Sequence, residues 1–233
     1  MAHFSLYVLS NHWGPNPMKV GALLDELKLD YEVKGVDFGS DEKEKGVKGE
    51  NYLAICANGR TPTLIDHKNN DFTVWESGAI LQYLVDKYDT EGKYAGKTAE
   101  EKATVNQWLF FQVSGHSPVQ GNLYFSQVYW KNAFGEDAPE TVVKRFNNEL
   151  HRVLSVYEEQ LKKQTEKNGA SNAWLALDRP TIADFSAFVW LGILSHFGDK
   201  LGVDLAKFPH VAKYIQLAES LDSVKEMRKR VQH

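Results

Sequence analysis

The chain has 233 residues, 42% of them hydrophobic and 25% charged, a profile too apolar for disorder and too charged for a membrane-embedded bundle. Lys and Arg total 27 against 31 for Asp and Glu, leaving a net charge of −4, so the basic excess of a nucleic-acid-binding protein is missing. The one cysteine, Cys56, excludes an internal disulfide, a cysteine-built zinc site and a C-x-x-C redox pair.

HFSLYVL (3–9) is rich in strand formers and runs into the turn-forming cluster SNHWGPNP. Val20, Leu23, Leu24 and Leu27 then recur at helical spacing and predict a first helix from about Pro17 to Leu29. Pro17 suits its first turn, where a missing N–H costs nothing. YEVKGVDF (31–38) predicts a second strand, and the charged GSDEKEKGVKGEN stretch an exposed loop. TPTLID (61–66), the polar turn from His67 to Asn70 and DFTVW (71–75) predict a hairpin. Glu76 then opens a helix with Ile80, Tyr83, Leu84 and Tyr88 on its apolar face. The first strand–helix–strand unit needs a parallel crossover and the hairpin adds antiparallel strands. A small mixed sheet with helices on its faces is the expected result.

After Tyr88 the chain turns polar and glycine-bearing over 89–101, which reads as a linker. Beyond it the periods are helical: Val105, Trp108, Leu109 and Val113, then Phe146, Leu150, Val153, Leu154, Tyr157 and Leu161, with further helices near 181–197 and 209–221. The expected architecture is an α/β domain over 1–90 and an all-α domain over 98–233. The opening residues lack the basic start and apolar run of a targeting peptide. The most apolar window, FSAFVWLGIL, is far short of the ~20 residues of a membrane span. A cytoplasmic location without membrane contact is expected.

Three pieces of the first domain would converge at the carboxyl edge of the sheet, where α/β proteins place ligands. SNHWGPNPMKV brings Asn16 to the start of the first helix, whose free N–H groups and partial positive charge favour an anion. Asn16 there either caps the helix or faces a ligand. In NGRTPTLIDH, Pro62 directly before a strand marks an unusual backbone geometry, such as a cis bond, that would leave the main chain of Thr61 able to pair with a peptide-like ligand. An ordinary turn is the other reading. In WESGAI, Glu76 and Ser77 sit at a helix N-terminus, where they serve as cap and dipole partner or hold the ammonium and carboxylate of an α-amino acid. The eight histidines are scattered without metal-ligand spacing, so no metal is expected. Cys56, in a predicted helix before the RTP loop, reads as packed rather than reactive.

Together these pieces resemble the cytosolic glutathione transferases, and among them the fungal and bacterial nu-type branch that includes relatives of the yeast nitrogen-regulation prion protein. GPNPMKV is similar to the branch's Pro-Asn-x-x-Lys-Val helix start, RTP to its loop before a cis-proline and ESGAI to its γ-glutamyl site. QWLFFQVSGHSP resembles the branch's first long helix, and RPTIADFS the Ser/Thr-x-x-Asp box that starts the superfamily's buried helix. Pro17 departs from the pattern, at a position often occupied by Gly.

The resemblance implies a thioredoxin-like first domain, an all-helical second domain that forms an electrophile pocket with the first, and a homodimer. It implies glutathione as cosubstrate, with no other cofactor. Carried over by position, Asn16 addresses the glutathione sulfur and is the catalytic residue. Thr61 pairs with the cysteinyl part through its backbone, while Glu76 and Ser77 hold the γ-glutamyl end. Arg60 lies near that end, Lys48 reaches the glycyl carboxylate, and Arg145 adds a charge from the second domain. The expected function is conjugation of glutathione to small hydrophobic electrophiles, a detoxifying role. Reduction of disulfides or peroxides with two bound glutathiones is a further activity. The alternative is a non-enzymatic regulator that uses the same fold to bind a partner protein.

Overall fold

In the computed structural model, which describes residues 2–231, strand β1 (Phe4–Leu9) lies inside a four-stranded sheet of order β2-β1-β3-β4. Phe4, Leu6 and Val8 are buried along it, as an inner strand of alternating apolar residues requires. Helix α1 (Pro15–Glu26) leads to β2 (Tyr31–Val36), which pairs parallel to β1 from Phe4↔Tyr31 to Leu9↔Val36. A parallel neighbour cannot be reached by a tight turn, so the crossover helix is obligatory. After the short α2 (Glu50–Leu53), β3 (Thr63–Asp66) pairs antiparallel to β1, and β4 (Phe72–Trp75) pairs antiparallel to β3. Helix α3 (Ser77–Tyr88) closes the motif and buries Ile80, Leu81, Leu84 and Val85.

Helix α1 starts two residues earlier than its periodicity predicts and stops three residues sooner. Gly14 is its N-cap and Pro15 its first residue. At the other end Lys28 adopts φ 55°, and its N–H bonds to the Asp25 carbonyl while that of Leu29 bonds to Leu24. That pair of bonds is a Schellman closure made with Lys in the place glycine usually takes. The loop after β2 is mostly exposed, but Val47 is buried and packs with Val36, Tyr52 and Cys56.

Helices α4 (Ala99–Phe110) and α5 (Ser117–Val128) are joined by a π-helical turn, Phe111–His116. Pro118 has no N–H to give the Ser114 carbonyl, so the regular ladder cannot run unbroken through this point. Then follow α6 (Trp130–Phe134), the 29-residue α7 (Glu140–Asn168), α8 (Ile182–Phe197), α9 (Pro209–Glu219) and α10 (Asp222–Val231). Helix α7 turns Leu150, Val153, Leu154, Tyr157 and Leu161 inward. Helix α8 is buried along most of its length and opens with a capping box between Thr181 and Asp184.

The described residues divide into two compact units, one of 2–95 together with 220–231, the other Gly96–Glu219. The sequence places the last residues with the helical domain, whereas α10 packs on α1. Gly21 makes that packing possible, since a Cβ there would lie 2.8 Å from Trp13 and 3.3 Å from Met227. Arg230 closes the contact, stacked 4.7 Å over the Tyr31 ring and 3.4 Å from Asp25. Met1, Gln232 and His233, which belong to the expected domain ranges, lie outside the described residues.

Candidate active site

In the first unit, the start of α1, the loop after α2 and the β4–α3 junction meet around a cleft of about 220 Å³. Asn16, Cys56, Asn58, Arg60, Thr61, Pro62, Trp75, Glu76 and Ser77 line it. Asn16 occupies the second position of α1, not the cap, which falls to Gly14. The first turn carries no acidic side chain, so nothing there neutralises the positive helix end. A developing anion beside Asn16 would meet both an amide and this field.

The loop is held from behind. Tyr52 donates its hydroxyl to the Arg60 carbonyl at 2.9 Å, and the Cys56 thiol donates to the same oxygen at 3.3 Å. Gly59 sits at φ 57°, a backbone conformation that glycine adopts without strain. The Thr61–Pro62 peptide is cis. Thr61 precedes the first pair of the β3–β4 ladder, Thr63↔Trp75, and so faces the cleft beyond the end of the sheet.

Glu76 is the N-cap residue of α3 but makes no side-chain cap bond; its backbone stands at φ 72°, ψ 115°. A non-glycine residue in that region is strained. The Asn58 amide donates to its carboxylate at 3.2 Å. Ser77 is buried in the first turn of α3, and the Lys19 ammonium donates to its hydroxyl oxygen at 3.5 Å. Neither side chain makes a cap bond to α3, so capping does not account for Ser77, while Glu76 still stands at the positive end of the helix.

The family description "Glutathione S-transferase, N-terminal domain" matches residues 5–86, and "Glutathione S-transferase, C-terminal domain" matches 116–222. The chain belongs to the glutathione S-transferase family. With both halves of the family architecture present, it is a glutathione transferase. Glutathione S-transferase 2 of Schizosaccharomyces pombe is 44% identical over 191 residues, 82% of this chain and 75% of the relative. Among solved structures, the glutathione transferase URE2P6 from Phanerochaete chrysosporium, in complex with oxidized glutathione, is 37% identical. It superposes with a TM-score of 0.84 over 99% of this chain and 97% of its own. Ure2p in complex with glutathione is 27% identical with a TM-score of 0.85, covering 98% and 93% of the two chains.

Of the residues the sequence singles out, the transferase brings Asn16, Arg60, Thr61, Glu76 and Ser77 to one cleft. Lys48 stays outside the lining; its ammonium donates to the Asn58 carbonyl at 2.9 Å. Arg145 belongs to the other unit, on α7, within 3.8 Å of Glu149. Cys56 is not in a helix, because α2 ends at Leu53, and it is only 1% exposed although it borders the cleft. Sequence reasoning missed Asn58, Trp75 and Lys19. All three belong to segments it did single out. Lys19 had a visible signal, a charged residue inside the apolar stripe of α1.

Among the described residues no group of three His, Cys, Asp or Glu could hold a metal ion, and no helix is long and apolar enough to cross a membrane. Ser5, His67 and Asp71 form a Ser–His–Asp chain at 2.8 and 2.6 Å. Ser5, however, is 2% exposed and donates to Glu32 at 2.9 Å, so it cannot meet a substrate as a triad nucleophile must.

Proposed function

We propose that the transferase binds glutathione in this cleft and stabilises its thiolate through Asn16. What supports this most is that an amide at an acid-free helix start and a carboxylate–hydroxyl pair share one cleft. In this reading Glu76 pairs with the γ-glutamyl ammonium and Ser77 takes the α-carboxylate. The Thr61 backbone meets the cysteinyl unit, with Arg60 beside the γ-glutamyl end. Lys48 is the assigned partner for the glycyl carboxylate. A free thiol titrates near ~8.5 and only the thiolate attacks. Lowering that value by ~2 units takes ~2.7 kcal/mol of preference for the charged form. An amide N–H and a helix terminus supply energies of this order. The proton passes to water, and no protein base is needed. With a halogenated aromatic ring the sulfur–carbon bond forms as the carbon–halogen bond breaks, and halide leaves with the electron pair. The transferase is read as a cytoplasmic, detoxifying enzyme.

Turnover with an aryl halide, a hydroperoxide and a mixed disulfide tests this reading. Asn16→Ala should lose tenfold or more, equal to ~1.4 kcal/mol of transition-state stabilisation. Cys56→Ser should keep most activity. The pKa of bound glutathione, followed by thiolate absorbance, should rise in Asn16→Ala. An inactive, folded Cys56→Ser beside a near-normal Asn16→Ala would replace this mechanism with a protein-thiol one. Glutathione binding without turnover on any substrate class would favour the regulator.

A further inference from the structure

Lys19 is the one charged residue on the buried face of α1. It is 1% exposed and lies among Val20, Leu23 and Leu24, all fully buried. Removing an ammonium from water is expensive unless it is paired, and an apolar side chain of similar length would fill the space without that cost. Its position connects it to the cleft. It stands one turn after Asn16, and its ammonium reaches across to Ser77 Oγ at 3.5 Å, while Glu76 acts on it electrostatically.

We infer that Lys19 is a positioning residue whose ammonium turns the Ser77 hydroxyl outward, so that its proton faces the α-carboxylate of the ligand. An ammonium has donors only, so Ser77 Oγ accepts from it and the O–H dipole points away from the positive charge. The hydroxyl donates to no protein acceptor among the described residues. Its proton therefore remains available to an anion in the cleft. The ammonium also adds positive potential behind the carboxylate, in a buried setting where water screens it little. The inference rests on the reading of the cleft as a glutathione site.

Burial pulls the Lys19 pKa down to about 7, against the opposing pull of Glu76. Helix α1 packs on α3, α10 and β1. Glu76 is the charged group at the α3 end. On α10, Glu226 and Arg230 act on Asp25, and β1 carries no charged residue. A ligand carboxylate would favour the protonated lysine, so carboxylate binding near neutral pH should raise the proton occupancy of Lys19, beside the proton that the thiol releases.

Titration calorimetry with two ligands distinguishes positioning from scaffolding. One is glutathione; the other carries 4-aminobutanoyl in place of the γ-glutamyl group and so lacks only the α-carboxylate. Lys19→Met should weaken glutathione binding by about tenfold or more while changing the analogue by less than about twofold. Ser77→Ala should reproduce the selective loss, and Lys19→Met/Ser77→Ala should add little to it. The thiol is common to both ligands and its ionisation cancels between them, so at pH 7 wild type should gain more protons, or release fewer, with glutathione than with the analogue, measured in buffers of differing ionisation enthalpy, and Lys19→Met should lose that difference. Equal weakening of both ligands, or none, would overturn the inference while leaving the glutathione site standing. If Lys19→Met does not fold, Ser77→Ala and the wild-type proton difference decide the matter. A wild type that binds glutathione no better than the analogue would also overturn it. A wild type that binds neither would remove the glutathione reading itself.

Discussion

Glu76 carries two burdens that separate under mutation. Its backbone occupies a region that costs a non-glycine residue on the order of 1–3 kcal/mol. Its carboxylate is assigned the ligand ammonium, a charge-assisted contact worth roughly 1.5–3 kcal/mol. Glu76→Gly relieves the first and removes the second, so it should raise the melting temperature while weakening glutathione binding by one to two orders of magnitude. Glu76→Ala should weaken binding equally without the gain in stability. Calorimetry and thermal melts on both variants check this; wild-type affinity in either would remove the ammonium assignment. Lys19 makes a parallel case for stability. Its folded pKa is about 7 against an ordinary 10.5, so between these values the unfolded chain holds a proton that the native chain does not. Native stability from this group therefore rises with pH through that window, by at most about 1.4 kcal/mol per pH unit. Lys19→Met should be more stable than wild type at and below pH 7, and its advantage should shrink as pH approaches 10.5. Denaturant titrations at several pH values measure the difference.

Helices in this protein begin by different devices, and each has a consequence. Helix α4 begins on Thr98, whose hydroxyl accepts from the Glu101 N–H at 3.2 Å. Helix α8 uses a buried box in which the Asp184 carboxylate accepts from the Thr181 N–H at 2.8 Å and its hydroxyl at 2.9 Å. It also accepts from the Leu175 N–H at 2.9 Å and the Tyr214 hydroxyl at 3.1 Å. Burial pushes its pKa up to about 6, although these donors pull the other way. An amide cannot replace it, because the –NH2 group of Asn has to face one of the donors. Asp184→Asn should cost about 3 kcal/mol, with one buried N–H group left unsatisfied whichever way the amide turns. A lower urea midpoint at unchanged slope is the expected result. Helix α1, by contrast, has glycine at its cap and prolines in its first turn, with no side-chain cap bond.

At the scale of the whole molecule, the two units differ in how sequence order relates to space. Gly96–Glu219 is one uninterrupted run, whereas the other unit joins residues 2–95 to 220–231. Val224 and Met227 are fully buried on α10, so the first unit is completed only by the last helix. A homodimer belongs to the proposed function as well. Sedimentation equilibrium at micromolar concentration should return twice the chain mass of 26.4 kDa; a species at the single-chain mass would exclude it.

The Thr181–Asp184 box is legible through the resemblance to the family, while periodicity is enough to reveal the strand–helix–strand start, the hairpin and the long amphipathic α7, because each is a local pattern whose physics acts within a few residues. The segments carrying Asn16, Thr61, Glu76 and Ser77 were legible for the same reason, each being a helix start or a proline turn with its own signature. What no local pattern contains is distance across the fold. That Asn16 lies inside α1 behind a glycine cap, that Cys56 falls beyond α2, that Lys48 turns to the Asn58 carbonyl and that α10 returns to α1 all depend on which surfaces find one another once the core closes. The Glu76 backbone is the same kind of fact. Its φ of 72° is imposed where β4 must end and α3 must begin at a fixed angle, and the surrounding packing rather than the residue's own preference holds it there.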